Sequence, residues 1–313
     1  MKPGAGCKKI LLATLLAALA ASSVCHADGQ VVSWEQLEAI YEYDRDLPLQ
    51  AEVTASSSNS YFSTENITLQ AVDNTPIPAI LHRPNVDGKV PCVVLLHGYG
   101  GNKDAYSRPM AIFMAPLGVA VMAIDARLHG ERAQEGAGMW SADLQASRDA
   151  MVKTVIDNRR ALDYLDSRAD IDHDRYMLIG MSMGGILGSV LGAVDGRIKS
   201  AALIVAGGRL DLMLLHSDFP VLARLREAGL TGEMLAEHLY QIEPVNFIGH
   251  FAPRPVLFVN GMEDKTIPPE NAELLHQAAG EPKQVVWYEG GHIPTPQVII
   301  DPLRRFIDAH LLN

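Results

Sequence analysis

Ser182, Asp264 and His292 are the residues of this chain whose types and order could carry out nucleophilic chemistry. A serine hydroxyl is a weak nucleophile at neutral pH. It needs a histidine within hydrogen-bond reach to take its proton and a carboxylate to fix that histidine's ring. Ser182 stands in Gly180-Met181-Ser182-Met183-Gly184-Gly185, after the apolar run 176–179 and before the helix-like ILGSVLGAV. A serine on a tight strand-to-helix turn needs small residues two positions before and after it, and the glycines at 180 and 184 meet that need. The following helix turns its free N–H groups and positive dipole end toward the hydroxyl, where an attacked carbonyl would gather negative charge. A GxSxG pattern also arises as an ordinary glycine turn, so its partners must decide between the two readings.

Those partners stand at the ends of two later apolar runs. Residues 255–260 lead into Gly261-Met262-Glu263-Asp264, and residues 284–288 into Glu289-Gly290-Gly291-His292. The chain order serine, acid, histidine is the one expected when a GxSxG serine is the nucleophile. Asp264 is the expected acid, because Gly261 before it and Thr266-Ile267-Pro268 after it make a turn able to aim a short carboxylate; Glu263 is the alternative. A lone histidine is more often structural than catalytic. His292 is set apart from the other histidines by its place after the last strand and by the two glycines before it. His97, in His97-Gly98-Tyr99-Gly100-Gly101, is expected to brace its loop through hydrogen bonds. Gly98 would let the Tyr99 N–H join the Met183 N–H as an oxyanion hole, and one such donor is worth ~10²–10³ in turnover.

The elements that must position these groups follow from pattern. Residues 91–96 and 119–124 are continuous apolar runs bounded by turn residues, as in parallel strands buried on both faces. Residues 66–71 and 77–83 flank Asp73-Asn74 as a hairpin that opens the sheet. A short helix is expected over 34–43, a long one over 141–168, and others after 101, 184, 269 and 295. Strands at 201–206, 255–260 and 284–288 complete the alternation. Strands and helices in alternation require crossovers, hence an α/β fold: a mainly parallel sheet with helices on both faces and its catalytic groups at the carboxyl ends of the strands. Residues 208–243, rich in Leu and Met, interrupt the alternation as a short helical cap insert over the site. Asp125, Arg127, His129 and Glu131 are expected to pair with neighbours and brace the loop after the second strand. Asp157, Arg159 and Arg160 read as a solvated or structural helix face.

HGYGG at 97–101, GMSMGG at 180–185, GMEDKTIPP at 261–269 and EGGH at 289–292 resemble the α/β-hydrolase superfamily over residues 66–313. DARLHGER at 125–132 and DNRRALDYL at 157–165 are similar to bacterial serine esterases of the dienelactone-hydrolase and acetyl-esterase group. The resemblance implies an α/β-hydrolase fold and hydrolysis of short-acyl carboxylic esters through an acyl-enzyme, with no metal or organic cofactor. Dienelactone hydrolases use cysteine where this chain has Ser182, which favours ordinary esters over lactones. Two other readings are a peptidase of the prolyl-oligopeptidase-like clan and a non-catalytic ligand-binding relative. The first normally places a large propeller where fewer than forty residues stand between residue 27 and the hairpin, and the second has no need of a nucleophile, acid, base and oxyanion loop together.

Composition narrows the partners. Lys2, Lys8 and Lys9 precede an uncharged apolar run over 10–21 and then Cys25-His26-Ala27, the form of an export signal; the run is too short to span a bilayer. Residues 1–27 are accordingly set aside as a signal peptide, 28–65 as an N-terminal arm and 66–313 as the catalytic domain, and the protein is expected to be periplasmic or secreted. Removal of that leader takes two of the three cysteines and leaves Cys92 alone in an apolar run, inert rather than reactive. The chain carries 26 Lys+Arg against 37 Asp+Glu, a net charge of -11. Such a balance disfavours nucleic acid and anionic membrane as partners and says little about a small neutral substrate, so the small-molecule ester substrate is expected from the resemblance alone; oligomeric state is not legible.

Overall fold

The computed structural model describes residues 31–313, with Val24–Cys25 as a two-residue strand paired to Val31–Val32. The leader assigned to residues 1–27 otherwise lies outside the described residues. Among the described residues nine strands form one sheet: β1 (Glu52–Ser58), β2 (Phe62–Gln70), β3 (Pro76–Pro84), β4 (Val90–Leu96), β5 (Ala120–Ile124), β6 (Ile171–Met181), β7 (Ile198–Ile204), β8 (Val256–Gly261) and β9 (Lys283–Tyr288). Their spatial order is β9-β8-β7-β6-β4-β5-β3-β2-β1. The six strands from β9 to β5 run parallel, and β3, β2 and β1 are added antiparallel at one edge.

Helices α1 (Trp34–Ala39), α2 (Lys103–Met114), α3 (Leu144–Asp166), α4 (Met183–Val194), α5 (Leu210–His216), α6 (Pro220–Glu227), α7 (Gly232–Leu239), α8 (Pro269–Ala278) and α9 (Pro296–His310) complete the fold. Burial on both sheet faces explains the unbroken apolar runs. Every residue of β4 is buried. In β6, Tyr176 and Leu178 belong to the core on one face, Met177 and Ile179 to the core on the other. Cys92 is fully buried, and burial pushes its thiol pKa well up, so it stays protonated and unreactive. Among the described residues no helix is long and apolar enough to cross a membrane.

Two expectations shift. The region set aside as an arm over 28–65 contributes β1 in its second half, paired with β2 along Glu52–Ser58. EVTASSS is exposed along its whole length, and main-chain pairing with β2, joined by one bond from Thr54 Oγ1 to the Asn66 carbonyl, holds it as a strand. The long helix is trimmed to 144–166, and its Asp157 and Arg160 are buried, which makes that face structural rather than solvated. Arg127 grips Asp157 (Nε to Oδ2, 2.6 Å) and Asp73 (Nη1 to Oδ2, 2.8 Å), and Arg132 Nη1 reaches Asp157 Oδ2 at 2.8 Å. Burial opposes the ionisation of Asp73, but hydrogen bonds from Arg127, Thr75 and Lys153 outweigh it and hold its carboxyl well below the usual range.

Two buried histidines make the fold acid-sensitive. His82 lies between Thr64 and Ser107, and His276 between Asn260 and the Phe258 ring; burial lowers each pKa to about 4. An unfolded histidine titrates near 6.5, so below that pH the unfolded chain binds more protons than the native one. Their contribution is full above about pH 6.5 and is lost as pH falls from there toward 4, on the order of 3 kcal/mol for each. Calorimetry between pH 7 and 4 should record a falling Tm, and His276→Gln should flatten the fall; an unchanged slope in that variant would refute the assignment.

Candidate active site

Ser182 joins β6 to α4 with φ 56° and ψ -120°, a conformation that costs a non-glycine residue ~1–3 kcal/mol. The strain is held in place from outside. The Ser182 N–H donates to the Ile204 carbonyl at 2.9 Å, and the Ser182 carbonyl accepts from Gly185 and Ile186. Nothing larger than glycine fits on either side: a Cβ on Gly180 would overlap the Gly184 carbonyl, and one on Gly184 the Leu96 carbonyl.

Asp264 stands just beyond β8. Its Oδ1 accepts from the N–H groups of Thr266 and Ile267 at 2.8 and 2.9 Å, which leaves Oδ2 to meet His292 Nδ1 at 2.7 Å. His292 Nε2 lies 2.8 Å from Ser182 Oγ. The three side chains predicted from sequence therefore form one continuous hydrogen-bonded row. Asp264 is 3% exposed, whereas Glu263 is exposed and turned to solvent, so the carboxylate at the histidine is Asp264. The loop carrying His292 is stitched to the acid loop: Met262 N–H donates to the Tyr288 carbonyl and Glu263 N–H to that of Gly290, both at 2.9 Å. Tyr288 donates its hydroxyl to the Gly291 carbonyl, and burial, aided by the Asp264 charge, pushes its pKa up to about 12.

The loop after β4 lies against the elbow, since a Cβ on Gly98 would sit 3.5 Å from that of Ser182. Among the described residues neither the Tyr99 N–H nor the Met183 N–H donates to a protein acceptor. His97 is 3% exposed; its Nδ1 bonds the Gly98 carbonyl at 2.8 Å and its Nε2 accepts from Ala126 N–H at 3.1 Å. Burial lowers its pKa, which keeps that acceptor nitrogen free of a proton. Asp125 braces the same loop, accepting from the N–H groups of Lys103 at 2.8 Å and Glu131 at 2.9 Å. His129 packs edge-on to Tyr99 at 5.1 Å.

A cavity of about 140 Å³ opens at Ser182 and His292, lined by apolar side chains that include Trp140, Ile186, Met213, Phe219 and Leu222. The insert predicted at 208–243 forms α5, α6 and α7, and supplies three of these. Trp140 was not apparent in the sequence as a pocket residue: it precedes α3 in a loop, where nothing in its neighbours distinguishes a pocket wall from ordinary core.

The model of the acetyl xylan esterase family (AXE1) matches residues 32–206, a span that contains the elbow and the Tyr99 loop. A Salmonella typhi protein known as YfhR is 30% identical over 241 residues, 73% of this chain and 74% of that one. Esterase YjfP of Escherichia coli K12 is 26% identical over 263 residues, 78% of this chain and 100% of that one. Among solved structures, an acetyl xylan esterase from Paenibacillus sp. R4 aligns with a TM-score of 0.75 at 23% identity, covering 89% of this chain and 93% of that one. At that identity the likeness concerns the fold, which is the α/β-hydrolase fold.

Proposed function

Because this chain belongs to the acetyl xylan esterase family, and so is a carboxylic-ester hydrolase, we propose that it removes acetyl and other short acyl groups through Ser182, His292 and Asp264. Ser182 Oγ attacks the ester carbonyl while His292 Nε2 takes its proton. The N–H groups of Tyr99 and Met183 receive the oxyanion, and His292 returns the proton to the departing alkoxide. Water, deprotonated by the same nitrogen, then attacks the acyl-enzyme, and His292 returns that proton to Ser182 Oγ as its bond to the acyl group breaks and the acid is freed. Asp264 holds the ring so that Nδ1 keeps its proton and Nε2 stays a base.

The observation that carries this reading is the pairing of that hydrogen-bonded row with a 140 Å³ apolar cavity. Pockets for drug-sized ligands run to ~300–1,000 Å³, so this one suits a small acyl group. Rates on p-nitrophenyl esters from acetyl to dodecanoyl test it, with acetylated xylan as a substrate of the family's type. We expect kcat/KM to be highest at acetyl to butyryl and to fall by more than tenfold by decanoyl; a flat or rising series would overturn the short-acyl reading.

The leader-like residues 1–27 support a second part of the proposal, that the enzyme works after export. Full-length chain expressed in a bacterial host should yield periplasmic or secreted product whose intact mass begins at Asp28, and a cytoplasmic product retaining the leader would contradict it.

A further inference from the structure

We infer that the corner of the cap between α5 and α6, Ser217-Asp218, is a positioning device for Asp264, so that the insert sets the acid as well as covering the pocket. The inference rests on the role proposed above for Asp264. It comes from following each peptide unit of the acid turn from one side to the other. The Thr266 N–H, which donates to Asp264 Oδ1 at 2.8 Å, shares its peptide plane with the Lys265 carbonyl, and that carbonyl accepts from the Asp218 N–H at 2.7 Å. The Ile267 N–H, which donates to the same Oδ1 at 2.9 Å, shares its plane with the Thr266 carbonyl, and that carbonyl accepts from Ser217 Oγ at 2.6 Å. Two successive peptide planes are thus gripped on their outer edge by the cap and hold the carboxylate by their inner edge.

A peptide unit is rigid, so fixing its carbonyl fixes the direction of its N–H. Hydrogen bonds in series also polarise one another, which strengthens the donors offered to Asp264. Ser217 is 1% exposed, so water cannot stand in for its hydroxyl, and its own partners leave it no freedom to turn away. Its oxygen accepts from the Phe219 N–H at 3.0 Å, and its carbonyl accepts from Arg226 Nη1 at 3.0 Å. Phe219 in turn lines the acyl cavity and packs edge-on to Tyr99 at 5.2 Å. One hydroxyl therefore ties together the acid turn, the cavity wall and the loop that carries an oxyanion donor.

The test is kinetic, with Ser217→Ala, Ser217→Thr, Asp264→Asn and the Ser217→Ala/Asp264→Asn double variant assayed on p-nitrophenyl acetate. We expect Ser217→Ala to lower kcat about 10- to 100-fold with KM changed by less than threefold, because the loss is one of alignment. Ser217→Thr, which keeps a hydroxyl on the same Cβ, should recover most of it. In the Asp264→Asn background the alanine substitution should cost less than twofold, since its effect runs through the acid. Should the alanine variant not fold, Ser217→Cys fills the same volume with a far weaker donor and carries the same expectation. Wild-type kcat in Ser217→Ala, or an undiminished loss in the Asp264→Asn background, would overturn the inference. Wild-type kcat in Asp264→Asn alone would instead remove the catalytic reading on which it rests.

Discussion

Replacing Ser182 by alanine should lower kcat on p-nitrophenyl acetate by about six orders of magnitude and leave the Tm within a few degrees of wild type. Losing the nucleophile of a serine triad removes the whole covalent route, and what survives is the modest catalysis of the oxyanion donors and of binding. The turn itself should persist, because its glycine packing and its hydrogen bonds to Ile204, Gly185 and Ile186 involve no atom of the hydroxyl. Turnover of Ser182→Ala within tenfold of wild type would discard Ser182 as nucleophile.

Asp264→Asn should cost about 10⁴ in kcat, and the structure gives the reason. Oδ1 is held by two backbone N–H groups, so the amide oxygen of an asparagine must take that side. Its NH₂ then faces His292 Nδ1, which can meet it only as an acceptor. The ring proton moves to Nε2, and Ser182 faces a donor where it had a base. Secondary structure by circular dichroism should be unchanged. Glu263→Gln should leave kcat within twofold; a large loss there, with Asp264→Asn active, would move the acid by one residue.

Much of the site was legible because its local chemistry is restrictive. Only glycine fits at 180 and 184, so the elbow announces itself as a motif. Buried parallel strands such as β4 are apolar on both faces, and their ends mark where catalytic side chains must emerge. What stayed hidden depends on contacts between distant segments or on the main chain alone. The grip of Ser217 on Thr266 spans 49 positions and leaves no periodicity. Arg127 braces its loop as expected, but its partners Asp73 and Asp157 lie 54 and 30 positions away, and that convergence leaves no local pattern. β1 has no apolar face, so nothing in EVTASSS distinguishes it from a loop.

The row of hydrogen bonds at the site also joins parts of the sheet that differ in how firmly they are anchored. Ser182 leaves the fully flanked strand β6, while His292 hangs from β9, one of the two edge strands, of which only Tyr288 is buried; the two residues are 110 positions apart. Sheet margins open at lower free energy than sheet centres. Catalytic competence therefore depends on one edge of the sheet as well as on its centre. On warming, turnover should therefore be lost before the strands around β4 and β6 open, which activity and far-UV circular dichroism followed on the same sample would check.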